Sequence, residues 1–186
     1  MLGNLIADAQ LAATDTEQGA VAAFMNPGGI RADLDAGPIT FEEAFTVQPF
    51  SNNVVTLDLP GAQLQCLLEQ QFTVHRVLQP SAGVAYTVDP AGNTGSEVDP
   101  CSGTRVPDDT VRIGGAPVDA GAIYRITANS FLADGGDGFG VLRSGSNRAL
   151  SGLDVDAFAQ YLSANRPISA PATDRIRTAG GAPGGS

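Results

Sequence analysis

Asn129-Ser130-Phe131-Leu132-Ala133-Asp134-Gly135-Gly136-Asp137-Gly138-Phe139 places two phenylalanines around a tight, acidic, glycine-rich turn. Gly135, Gly136 and Gly138 supply backbone shapes that a residue with a Cβ adopts only at a cost. Asp137 stands among them with a carboxylate that can only accept hydrogen bonds when ionised. The preceding run Tyr124-Arg125-Ile126-Thr127-Ala128 alternates like a strand, so the turn is expected at a strand end, where loops carried by a rigid scaffold concentrate binding chemistry. Two readings stand side by side: a plain Gly-Asp-Gly turn with Phe131 and Phe139 in the core, or a site that stacks a flat ring and grips its hydroxyls.

Working outward, 186 residues suffice for one domain with a substantial core. No apolar run approaches the roughly 18–20 residues that a membrane helix needs. The net charge of −10, with ten Arg and no Lys, argues against binding a nucleic-acid polymer, which needs clustered basic side chains to displace counterions. It leaves room for a nucleotide, because one or two arginines bind a phosphate in forked geometry. Met1-Leu2-Gly3-Asn4 leads straight into a helical pattern without a charged leader, so the chain is expected to be a domain of a longer protein with any targeting segment outside it.

Apolar spacing predicts helices over Leu5–Thr14, from about Thr40, over Ala62–Phe72 and over Val155–Ser163, with Thr40 and Glu43 forming a capping box. Strands are expected at Val21–Met25, Asn53–Leu59, Ala85–Val88, Tyr124–Ala128 and Arg175–Arg177. Val111-Arg112-Ile113, Gly114-Gly115 and Ala116-Pro117-Val118 read as a small hairpin. Residues 89–110 are a polar, Pro/Gly-rich excursion, and 179–186 a flexible Gly/Pro tail. The pattern predicts an α+β fold, a mixed β-sheet with flanking helices. Cys66 and Cys101 lack zinc-ligand spacing and leave two options: one bridge tying a helix to the excursion in an exported protein, or two unpaired thiols. Cys101 falls in a polar loop where a free thiol would be exposed, which favours the bridge.

Two further turns carry chemistry. Asn26-Pro27-Gly28-Gly29-Ile30-Arg31 follows a buried strand; its glycine pair lets backbone approach a ligand, and Arg31 offers a forked donor. Gln48-Pro49-Phe50-Ser51-Asn52-Asn53 sets Phe50 between a helix and a strand. Each alone reads as an ordinary turn. Nucleophile elbows and phosphate loops of the P-loop or dinucleotide type do not occur. The single histidine, His75, sits at a helix end and one imidazole cannot build a dimetal site.

The order Gly3-Asn4-Leu5-Ile6-Ala7-Asp8-Ala9, Asn26-Pro27-Gly28-Gly29-Ile30-Arg31, Pro49-Phe50 and Asn129 to Phe139 closely resembles the C-terminal domain of the 5′-nucleotidase/UDP-sugar hydrolase family. The resemblance implies one nucleotide-binding domain over residues 1–178, with the base sandwiched between Phe50 and Phe131. It also implies that Asp137 accepts hydrogen bonds from ribose hydroxyls, with Asn26, Gly28, Gly29 and Arg31 beside the ligand and Arg31 toward the phosphate. Phe139 is left to anchor the turn in the core. The family often has a further ligand arginine just upstream of the Gly-Asn-Leu-Ile segment, and this chain begins without it.

By the same resemblance, catalysis belongs to a separate N-terminal metallophosphoesterase domain holding two divalent metal ions through Asp-x-His and Gly-Asn-His-Glu motifs. Neither motif occurs here, so no catalytic or metal-ligating residue is expected in this chain. The implied function is substrate recognition in an exported enzyme of nucleotide catabolism, extracellular, periplasmic or wall-associated. The alternatives are a stand-alone nucleoside- or nucleotide-binding module without hydrolase activity and an adhesin-like structural domain.

Overall fold

A computed structural model describes residues 1–180. Of the tail expected at 179–186, residues 181–186 lie outside the described residues. The chain runs through α1 (Leu2–Ala12), α2 (Asp15–Gln18), β1 (Ala22–Met25), α3 (Phe41–Val47), β2 (Asn53–Pro60), α4 (Gly61–Thr73), β3 (Gln79–Pro80) and β4 (Val84–Val88). It continues through β5 (Arg112–Ile113), β6 (Ala116–Pro117), β7 (Ile123–Asn129), α5 (Ser130–Ala133), β8 (Ser146–Leu153), α6 (Asp154–Ala164) and β9 (Ile176–Thr178).

The strands form two sheets where the sequence pattern suggested one: a five-stranded sheet in the order β3-β1-β7-β2-β8 and a four-stranded sheet in the order β6-β5-β4-β9. Both are mixed, since β1 runs parallel to β7 and β4 parallel to β9 while the other pairs are antiparallel. The two-residue period of β1 shows how the larger sheet is buried. Ala22 and Phe24 join a cluster with Leu57, Leu64, Leu67 and Ile126, which α4 covers. Ala23 and Met25 point the other way, into a cluster with Ile6, Val47 and Phe158 beneath α1, α3 and α6. Each fully buried Leu, Ile, Phe or Met is worth roughly 1.5–3 kcal/mol, so a sheet covered on both faces is a firm base for loops at its ends.

The Thr40–Glu43 capping box closes as expected, with Glu43 N donating to Thr40 Oγ1 at 3.2 Å and Thr40 N donating to the Glu43 carboxylate at 2.7 Å. The hairpin at 112–117 also forms, with Gly114 and Gly115 at φ +60° and +82°. Helix α1 starts three residues earlier than its apolar spacing suggested. Strand β8 was not anticipated: Ser146-Asn147-Arg148 are exposed on an edge strand that β2 pairs along one side only, so no apolar alternation marks it.

The excursion after β4 is held against α4 by side chains of that helix. Cys66 is bonded to Cys101 across a Cα–Cα distance of 4.5 Å. One turn on, Glu69 accepts from Val106 N at 2.6 Å, and burial pushes its carboxyl above the usual carboxylate range. The Arg105 guanidinium lies 5.5 Å from the Phe72 ring centre.

Candidate functional site

Topology gathers the three turns. β2 runs antiparallel to β7 with Val54 opposite Asn129, so the start of β2 lies beside the end of β7. β1 runs parallel to β7, with Ala23 opposite Thr127, so its own end reaches the same edge. The Asn26–Arg31 turn, the Phe50–Asn53 turn and the Asn129–Phe139 turn therefore emerge together.

Asn129 organises them. Its side-chain oxygen caps α5 by accepting from Leu132 N at 2.8 Å, and its Nδ2 donates to Asn26 Oδ1 at 2.8 Å. Asn26 Nδ2 in turn donates to Asp137 Oδ2 at 2.8 Å. An amide that accepts on one side and donates on the other is the side chain such a relay requires. Both asparagines are buried, where each unmade hydrogen bond is costly, so the relay fixes the three turns relative to one another.

Asp137 sits at φ +55°, ψ +13°, between Gly135 at φ +80° and Gly138 at φ +88°. Left-handed backbone is uncommon outside glycine, with Asn and Asp the usual exceptions, and it is kept where surrounding contacts hold it. Here it turns the carboxylate toward Gly28, where a Cβ would stand 3.3 Å from Asp137 Oδ2. Arg76, from the end of α4, brings its Nε to 3.6 Å from the other oxygen, Oδ1.

Two phenylalanines that a core would bury stand half in solvent at this edge: Phe50 is 53% exposed and Phe131 48%. Phe139 is fully buried and anchors the turn. The Phe131 ring lies against the backbone of Gly136, and Ser130 beside it accepts from Asn53 N at 3.2 Å, joining the Phe131 and Phe50 turns. The Arg31 guanidinium lies 5.7 Å from the Phe50 ring centre, and Arg31 Nη1 reaches the Gly28 carbonyl at 3.5 Å. Gly29 is buried against Met25, while Gly28 faces Asp137.

The structure thus brings Asn26, Gly28, Gly29, Arg31, Phe50, Phe131 and Asp137 to one end of one sheet. Sequence reasoning missed two members. Asn129 was readable as an N-cap before a short helix, but its second bond, to Asn26, spans 103 positions and leaves no local pattern. Arg76 follows a helix end and nothing near it signals the site. A cleft of 1180 Å³ lies elsewhere, lined by residues such as Leu5, Leu34, Ile39 and Leu162, and shares none of the residues of these three turns.

Among the described residues no three His, Cys, Asp or Glu side chains converge on a cation position. The pair of divalent ions implied by the sequence resemblance belongs to the family's separate metallophosphoesterase domain, which lies outside this chain. Among the described residues no helix is long and apolar enough to cross a membrane.

The family described as "5′-nucleotidase, C-terminal domain" matches residues 1–144. An apyrase of Tabanus yao is 36% identical over 169 residues, covering 83% of this chain and 29% of the relative. The trifunctional nucleotide phosphoesterase protein YfkN of Bacillus subtilis is 34% identical over 166 residues, covering 87% of this chain and 11% of the relative. The crystal structure of a 5′-nucleotidase precursor from Thermus thermophilus superposes with a TM-score of 0.80 at 32% identity, over 97% of this chain and 36% of that one. The chain spans roughly a third or less of the length of each of these proteins. With its α+β sheets, its paired aromatic turns and this match over most of its length, the chain belongs to the 5′-nucleotidase C-terminal domain family.

Proposed function

We propose that this chain is the substrate-recognition domain of a 5′-nucleotidase-like metallophosphoesterase, an exported enzyme that hydrolyses phosphate from nucleotides or nucleotide sugars. The observation that carries the reading is the pair of half-exposed rings, Phe50 and Phe131, at the sheet edge where the Asn129–Asn26–Asp137 relay holds an acceptor beside them. Aromatic platforms stack a base for about 1–3 kcal/mol each and tolerate different bases. Asp137 accepts from the ribose hydroxyls, Asn26, Gly28 and Gly29 line the ligand, and Arg31 faces its phosphate side. The bond-breaking chemistry, with two divalent ions, belongs to an N-terminal domain of the same protein. The Cys66–Cys101 bond supports export, because disulfides persist in oxidising compartments.

Calorimetric titration of adenosine, AMP and a nucleotide sugar into the wild-type chain and Phe131→Ala tests the reading. Binding by the wild type that Phe131→Ala weakens at least about fivefold supports it, the low end of one stacking platform. Equal behaviour of the two proteins rejects it. Phosphate release from the pure chain with added divalent metal would show that the chemistry is not confined to the other domain.

A further inference from the structure

We propose that Arg76 is a ligand-contacting residue of this site, a guanidinium that with Asp137 selects a sugar bearing a vicinal diol. The inference rests on the nucleotide-binding reading above and adds a residue and a specificity to it. Helix α4 ends at Thr73, and His75 at φ +54° reverses the chain, with Arg76 N donating to Gln71 O at 2.9 Å. That reversal sets the end of α4 against the Asp137 turn at two places. Val74 fills the space beside Gly138, where a Cβ would lie 2.6 Å from its Cγ1, and Arg76 faces Asp137.

The Arg76–Asp137 contact differs from the ion pairs that hold the fold. Arg125–Asp58 and Arg175–Asp8 close to 2.8 and 2.7 Å, whereas Arg76 stops at 3.6 Å from Asp137 Oδ1 with its side chain half exposed. Among the described residues no side-chain N–H of Arg76 reaches hydrogen-bonding distance of an acceptor, and Asp137 Oδ1 accepts from no donor, its partner oxygen Oδ2 being the one Asn26 holds. An open donor and an open acceptor therefore face each other beside the half-exposed Phe131. Each hydroxyl of a vicinal diol donates once and accepts, so two neighbouring hydroxyls satisfy the carboxylate and the guanidinium together. A phosphate at the same place would meet the Asp137 charge, which disfavours it. The pair therefore suits the uncharged sugar end of a nucleotide, and leaves the phosphate to Arg31.

The test is titration of adenosine and 2′,3′-dideoxyadenosine into wild type, Arg76→Ala and Arg76→Lys, with thermal denaturation confirming that each variant is folded. Arg76→Ala is expected to weaken adenosine about tenfold, the scale of one hydrogen bond to a charged group, and to leave the dideoxynucleoside within about twofold. Arg76→Lys keeps a charged donor and is expected to retain part of the discrimination. Equal weakening of both nucleosides, or of neither, overturns the role of Arg76 while adenosine binding by the wild type, lost in Phe131→Ala, leaves the nucleotide-binding reading standing. A wild type that binds neither nucleoside overturns that reading, and this inference with it.

Discussion

Asn26 Nδ2 donates to Asp137 Oδ2 across 2.8 Å, joining residues 111 positions apart. The bond is the last link of a relay that begins at the α5 cap, so it fixes the acid of one turn to the loop of another. Asn26→Asp keeps the shape and replaces a donor with a second carboxylate. The variant is expected to lose about 1–3 kcal/mol at pH 7, the cost of an unmade buried hydrogen bond. For a chain of this size that is about 2–4 °C in Tm per kcal/mol. Thermal denaturation of the variant beside the wild type at pH 7 checks the size.

Gly136→Ala should separate binding from stability. Gly136 is not among the left-handed glycines of its turn, so alanine suffers no backbone strain there. A Cβ would, however, lie 2.6 Å from Cδ1 and Cζ of Phe131, closer than such atoms approach. The ring is half exposed and free to swing outward, so the stability cost is expected to stay below about 1 kcal/mol. Displacing the ring removes a stacking platform, and nucleoside affinity should fall at least about fivefold. Calorimetry beside a melting curve distinguishes this from general destabilisation, which would lower both together.

The parts legible in the sequence were those with a local cause. Helical spacing, the Thr40–Glu43 box and the Gly114-Gly115 hairpin each follow from residues within a few positions of one another. Phe131 and Asp137 were legible because one unbroken motif carries them. Strand β8 was not, because an exposed edge strand carries polar residues where alternation would be sought. Arg76 and the Asn129–Asn26 bond were not either, since their partners are set by the register of β1 and β2 on β7 and by how α4 ends. The two-sheet division has the same origin: short strands such as Arg112–Ile113 and Ile176–Thr178 say nothing of which neighbour they will pair with.

The Cys66–Cys101 bond closes a loop of 35 residues, the excursion that also rests on Glu69 and Phe72. In the chain-entropy description a loop of that size stabilises by about 4 kcal/mol. Cys66→Ser with Cys101→Ser, or reduction of the wild type, is expected to lower Tm by about 8–16 °C. The site end of α4 should loosen too, because the excursion and the Asp137 turn lie against the same helix. Melting curves with and without a thiol reductant give the first result, and hydrogen exchange at Val74–Arg76 the second.

Asp154 opens α6 and is only 2% exposed, yet its Oδ1 has no hydrogen-bond partner. Its backbone N–H donates to the Asn52 carbonyl at 2.9 Å, two residues from Phe50. Burial pushes its carboxyl up to about 6, against the opposing pull of the Val155 N–H and the Asn52 side chain. A raised carboxyl binds its proton more tightly in the folded chain than in the unfolded one. The stability it contributes is therefore fully present below the ordinary value of 3.8 and is lost as pH rises through about 6. Asp154→Asn cannot ionise, so its stability relative to wild type should rise across that window, by on the order of 1–2 kcal/mol once residual hydration at the loop is allowed for. Melting curves of both proteins recorded from pH 4 to pH 7.5 should diverge as pH rises through about 6 and run parallel above about pH 7. Parallel curves throughout would mean that Asp154 is ionised in the folded chain over the whole range and that Asn52 and the α6 N-terminus hold its charge without penalty.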